Sequence, residues 1–140
     1  MTQITITAGS FQFVARLEEA LAPKTCARFI ALLPYSASLL HVRWSGEGCW
    51  IPLGDLNLSL PYENATSYPA AGQFIFHPGG VSETEILLAY GSVRFASKVG
   101  QLAGSHFLTI TGGLEQLPEL GRATLLKGAQ PILFGLGVSD

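Results

Sequence analysis

Three histidines (His41, His77 and His106) and both tryptophans (Trp44 and Trp50) fall between residues 41 and 107 of a 140-residue chain. The polar groups around them come in compact words: HVRWSGE, ENATSYP, FHPGGVSETE, YGSVRFAS and AGSHF. Only 13% of the residues are charged, so this clustering is informative. Imidazole exchanges protons near neutral pH, and a histidine beside a carboxylate is the simplest acid–base device. His77 precedes Pro78-Gly79-Gly80, with Glu83 and Glu85 just beyond. A hairpin across that turn would bring His77 towards a glutamate. Glu85 leads the apolar run ILLAY. A carboxyl at the margin of an apolar interior has a raised pKa unless it is paired, and Arg94 is a candidate partner.

The other candidates each carry two readings. Arg43 offers a planar fork for a carboxylate or carbonyl group, and Glu47 lies across a Ser-Gly turn from it. The two could clamp a substrate or pair with each other. Trp44, Trp50 and Tyr90 suit a pocket wall or a core. Glu63 and Asn64 sit in a Pro-rich stretch, where they could enter a cleft or simply cap a turn. His106, at the start of a strand, could handle protons or be structural. No pair of these residues has the close spacing of a metal signature, so neither a metal nor a cofactor is expected. The serines lack a nucleophile-elbow context, and the glycines lack phosphate-binding spacing.

These residues must be positioned by strands. Residues 3–8 and 11–17 alternate with period two around Gly9-Ser10, the pattern of a β-hairpin. One helix is expected over about residues 23–33. It starts at Pro23, carries Cys26, Phe29, Ile30 and Leu33 as its apolar stripe, and stops at Pro34. Strands are expected at Leu39–Trp44, Cys49–Leu53, Gln73–His77, Thr84–Tyr90, His106–Thr111, Ala123–Leu126 and Ile132–Phe134. Residues 54–72 read as a long, ordered excursion, and 117–121 as part of a loop. One short helix among about eight strands argues a closed or nearly closed antiparallel β-barrel, with a β-sandwich second.

The length fits one domain, residues 1–140. An apolar fraction of 48% excludes disorder and is high for a lone small domain, which points to a well-filled barrel or a homo-oligomer. Net charge is −2 with scattered Lys and Arg, so nucleic acid is not an expected partner. No apolar run reaches the length of a membrane helix, and MTQITITAG lacks the pattern of a signal peptide, so a cytoplasmic protein is expected. Cys26 and Cys49 read as small buried residues.

The word Ala22-Pro23-Lys24-Thr25, followed by Phe29, resembles the passage from second strand to first helix in cyclophilins. The words His41 to Glu47, Glu63 to Thr66, His77 to Glu85, and Tyr90-Gly91 resemble a group of small bacterial proteins of unknown function with a cyclophilin-like fold (DUF3830-like). The resemblance implies a cyclophilin-like barrel. It does not extend to the Phe-His-Arg and Gln-Gly-Gly words of the isomerases. Arg43 stands one place late after His41, which in a strand sends it to the other face. Little prolyl isomerase activity is expected. The leading expectation is a small-molecule pocket for binding or modest acid–base catalysis of an anionic or carbonyl-containing ligand. Arg43, Trp44, Glu63, Asn64, Tyr90 and Arg94 would bind, while Glu47, Glu85, His77 or His106 would move protons. The alternatives are a peptide- or protein-binding groove and a structural homo-oligomer.

Overall fold

Strand alternation at both ends of the chain closes on itself. The computed structural model describes residues 2–137. The first hairpin is β1 (Gln3–Ala8) and β2 (Phe11–Leu17), with Ile4, Ile6, Ala8, Phe13, Ala15 and Leu17 facing inward. After α1 (Pro23–Leu32) come β3 (Tyr35–His41) and β4 (Gly46–Pro52). The excursion over residues 53–72 contains only the two-residue β5 (Ala65–Thr66). Then follow β6 (Gln73–His77), β7 (Glu85–Val93), the small hairpin β8 (Ala96–Ser97) and β9 (Gly100–Gln101), β10 (Gly104–Gly112), α2 (Leu117–Leu126) and β11 (Gln130–Leu136). The sheet runs β2-β1-β11-β3-β4-β7-β6-β10, and β2 pairs with β10 to close it. The result is the expected closed antiparallel barrel, with β5 laid along β10 as a short addition. Closure removes the edges that an open sheet of this size would have to protect.

A second helix replaces the strand expected at Ala123–Leu126. Leu117, Leu120, Gly121 and Thr124 are its buried residues, a helical spacing, and Pro118 lies in its first turn, where a missing N–H costs nothing. Gly121 and Pro118 made the stretch read as loop. Gly121 is needed for packing instead, because the Tyr90 ring occupies the space a Cβ would take. The strand expected at Leu39–Trp44 runs earlier, over Tyr35–His41. Val42 begins a turn in which the Ser45 N–H donates to the Val42 carbonyl at 2.7 Å.

Inside the barrel, Phe29 of α1 packs edge-on against Phe107 and Phe134 at 5.1 and 5.2 Å, and Phe74 meets Phe134 at 5.7 Å. A second, smaller core lies outside it. Ile75, Leu87 and Ala89 on the outer face of β6 and β7 are buried with Val42, Val93, Phe95 and Leu102. The segment from Phe95 to Leu102 folds back to cover that face. Burial on both sides explains why β7 reads as a continuous apolar run instead of alternating. No helix among the described residues is long and apolar enough to cross a membrane.

The start of α1 is capped from a distance. Ala22 has no side chain able to cap, and Pro23 has no N–H. The Glu63 carboxylate accepts from Lys24 N at 3.2 Å, Thr25 N at 2.7 Å and Thr25 Oγ1 at 2.8 Å. Burial works to raise the Glu63 pKa, but these hydrogen bonds and the Lys24 charge outweigh it and hold the group below its usual value. Glu63→Ala is therefore expected to lower stability by about 1 kcal/mol, as the loss of a helix cap does. Chemical denaturation measures this directly. An unchanged midpoint would remove the capping role.

Candidate functional site

The connection 78–84, which opens with Pro78-Gly79-Gly80, joins β6 to β7, and His77 stands opposite Glu85 in the ladder. Both belong to the outward series of their strands, alongside Ile75 and Leu87, and so join the smaller core. His77 is fully buried, with its ring edge-on to Tyr62 at 6.3 Å and to Phe95 at 5.8 Å. Its Nδ1 lies 3.0 Å from the Glu83 carbonyl and 3.2 Å from Gly79 N. A protonated Nδ1 donates to the carbonyl; an unprotonated one accepts from Gly79. Its Nε2 is buried without a partner. Burial lowers the His77 pKa, offset in part by the Glu83 carbonyl, so the ring is neutral at physiological pH.

Glu85 is only 4% exposed. Among the described residues its carboxyl has no hydrogen-bond or ion-pair partner. Burial first, then the nearby Glu83 charge, pushes its pKa up to about 8. It faces a cleft of about 610 Å3 walled by Trp44, Trp50, Val81 and Val99, with Glu83, Ser82, Ser97 and Lys98 adding polar groups. The two indoles meet at 86° with centroids 5.5 Å apart, forming an aromatic corner. Ser45 fastens this corner to the hairpin. Its Oγ donates to the Ala96 carbonyl and accepts from Ala96 N, both at 3.1 Å, and its carbonyl accepts from Arg94 N at 2.9 Å.

The expected site residues divide into separate places. Trp44 and Glu85 line the cleft, with His77 behind them. Arg43 and Glu47 do not join them. Gly46 pairs with Val93 while Pro52 pairs with Glu85, so Glu47 lies near the opposite end of β4, about 17 Å away at strand rise. Glu47 accepts from Ser92 N at 2.9 Å, and Arg43 is exposed on the turn. Arg94 is exposed and does not pair with Glu85; Lys98 is the cation beside the cleft. Tyr90 is at the far end of β7, its hydroxyl 2.8 Å from His41 Nε2. Glu63 is spent on the α1 cap. Asn64 donates to the His106 carbonyl at 3.0 Å, and His106 Nε2 lies 2.7 Å from Thr109 Oγ1, which in turn donates to Glu18. Arg16 Nε completes that chain, 3.3 Å from Glu18. Sequence reasoning missed Ser45, Ser97 and Lys98, which carry no motif and gain meaning only when the β8–β9 hairpin folds back. The thiols of Cys26 and Cys49 are buried and pushed up to about 12 and about 11, mainly by burial, which makes them unreactive. Among the described residues no group of three or more His, Cys, Asp or Glu could hold a metal ion.

A closed eight-stranded antiparallel barrel with two helices and a buried acid in an outer cleft defines the class. The chain belongs to the family described as "Protein of unknown function (DUF3830)", whose model matches residues 4–136. In solved structures its fold is similar to that of McbB, determined in complex with tryptophan, with a TM-score of 0.74 and 18% identity. That match covers 98% of this chain but 46% of McbB, so the chain spans about half of McbB's length. The hypothetical protein AF2241 from Archaeoglobus fulgidus is also similar, with a TM-score of 0.57, 13% identity, and coverage of 97% of this chain and 95% of that one. Comparison with curated proteins finds no significant match.

Opposing titrations should shape stability. Folded Glu85 keeps its proton from its ordinary 4.5 up to about 8, where the unfolded chain has lost it, so its contribution falls as pH rises through that window. His41, His77 and His106 are all lowered, chiefly by burial, so their contribution is complete above the ordinary 6.5 and falls as pH drops below it. The melting temperature is therefore expected to peak between these limits. Glu85→Gln should flatten the alkaline limb and raise the melting temperature above about pH 8. Calorimetry across pH checks this, and parallel wild-type and variant curves would contradict it.

Proposed function

We propose that the protein binds a small organic molecule in the Trp44–Trp50–Glu85 cleft, where Glu85 can give or take a proton near neutral pH. One observation carries this reading: an acid only 4% exposed, its carboxyl without a hydrogen-bond or ion-pair partner among the described residues, at a two-indole cleft. A fold spends several kcal/mol to bury an unpaired ionisable group, and such groups gather where chemistry is done. The cleft volume suits a small molecule better than an extended peptide. That McbB, a protein with a similar barrel, was solved with tryptophan bound supports a small-molecule role for this one. A general acid or base works best when its pKa lies near the working pH, and Glu85, held at about 8, meets that condition.

Both tryptophans of the chain line the cleft, so intrinsic fluorescence reports on it directly. A fragment screen read by indole emission is expected to find ligands. Trp50→Ala should weaken them by about tenfold or more, read by calorimetry, because it removes a stacking wall. Hits whose affinity survives both Trp50→Ala and Glu85→Gln would place the site elsewhere.

A further inference from the structure

We propose that the cleft selects an organic ammonium group, its apolar body against the indoles of Trp44 and Trp50 and its cation against Glu85; this rests on the cleft being the ligand site. The charges set the preference. Glu83 and Glu85 share the cleft, and Lys98 is its one cation. Lys98 and Glu83 are both solvent-exposed and of opposite sign, whereas Glu85 is buried, so the buried acid sets the balance. An incoming carboxylate would add its charge to that of Glu83 and hold the proton on Glu85, while an ammonium offsets the Glu83 charge and supplies the charged partner that an ionised Glu85 lacks. The expectation of an anionic ligand depended on Arg43, which lies outside the cleft. The aromatic corner favours the same choice. Indole faces attract cations through their quadrupole more strongly than other aromatic faces do, and two faces at 86° can flank one ammonium.

Binding should follow the Glu85 proton. The titratable groups around Glu85 are Glu83 on the preceding loop, His77 on β6 and Lys98 on the hairpin; β4 presents Pro52 and Trp50, which do not titrate. An ammonium binds the ionised carboxylate, so its binding expels the proton that burial retains there. Affinity should rise with pH below the Glu85 midpoint, by at most about tenfold per unit.

The test uses four probes on the full chain, read by tryptophan emission and calorimetry: 2-phenylethylamine, its neutral analogue 2-phenylethanol, 3-phenylpropionate, and Nα-acetyllysine amide. The amine is expected to bind about tenfold or more tightly than the alcohol, and the carboxylate more weakly than either. Glu85→Gln, with folding checked by its melting curve, should erase the amine's advantage and its pH dependence while leaving the alcohol's affinity unchanged. If Nα-acetyllysine amide binds as well as 2-phenylethylamine, the ammonium comes from a protein side chain; if it does not, from a free amine. A carboxylate that binds as tightly as the amine, or an amine-to-alcohol ratio untouched by Glu85→Gln, overturns the inference. If the alcohol or carboxylate binds and depends on Trp50 while the amine does not, the ammonium inference falls and the cleft remains the ligand site. If no probe binds at about 10 mM, the inference falls; the cleft reading falls with it only when a broader fragment screen also finds nothing sensitive to Trp50→Ala.

Discussion

Strand β7 loses water on both of its faces, and the arrangement of the cleft follows from that. One face packs into the barrel through Ile86 and Leu88, and the other packs outward through Leu87 and Ala89. A closed barrel has no neighbouring sheet to cover an apolar outer face. The chain therefore covers it with its own Phe95–Leu102 segment, stitched to the β3–β4 turn by Ser45. Glu85 is the first residue of the outward series. It is carried into this layer by register alone, and its side chain emerges where the cover ends. A buried acid, an open cleft and two indole walls thus share one cause.

Only 13% of the chain is charged, and part of its polar complement holds the long excursion in place. Glu63 replaces the missing cap of α1 and receives the hydrogen bonds of Lys24 and Thr25. Its own N–H donates to Ser105 Oγ at 2.9 Å, which ties the excursion to β10. Next to it, Asn64, His106, Thr109, Glu18 and Arg16 form a continuous polar chain across β10 and β2. Their partners lie within the protein, which separates them from Glu85. Burial of an unpartnered carboxyl, at Glu85, is what singles out the cleft. Similarity to McbB and AF2241 at this level of identity shows the barrel and assigns no residue of the cleft.

The barrel was legible in the sequence because strand alternation is a local signal. Period-two patterns in residues 3–8 and 11–17, turn residues at Gly9-Ser10 and Pro78-Gly79-Gly80, and the Pro23-to-Pro34 helix each needed only near neighbours to be read. The His77–Glu85 pairing instead spans the connection 78–84 and is fixed by the register of β6 on β7. The α2 helix was not legible. Its four inward residues are interrupted by Gly121 and preceded by Pro118, and the reason for Gly121 is the Tyr90 ring, which comes from another strand.

Arg43, Glu47 and Glu85 looked alike in the sequence, each a charge beside a turn at the margin of an apolar run. Antiparallel pairing sent them to different ends of β4 and β7, because Gly46 meets Val93 while Pro52 meets Glu85. Local pattern determined which residues alternate, turn and enter strands. Only the tertiary structure decided which charges meet, which serve as caps and which is buried without a partner. That division is physical. Alternation and turn preference act over a few residues, whereas desolvation and pairing of a charge depend on groups brought together from across the chain.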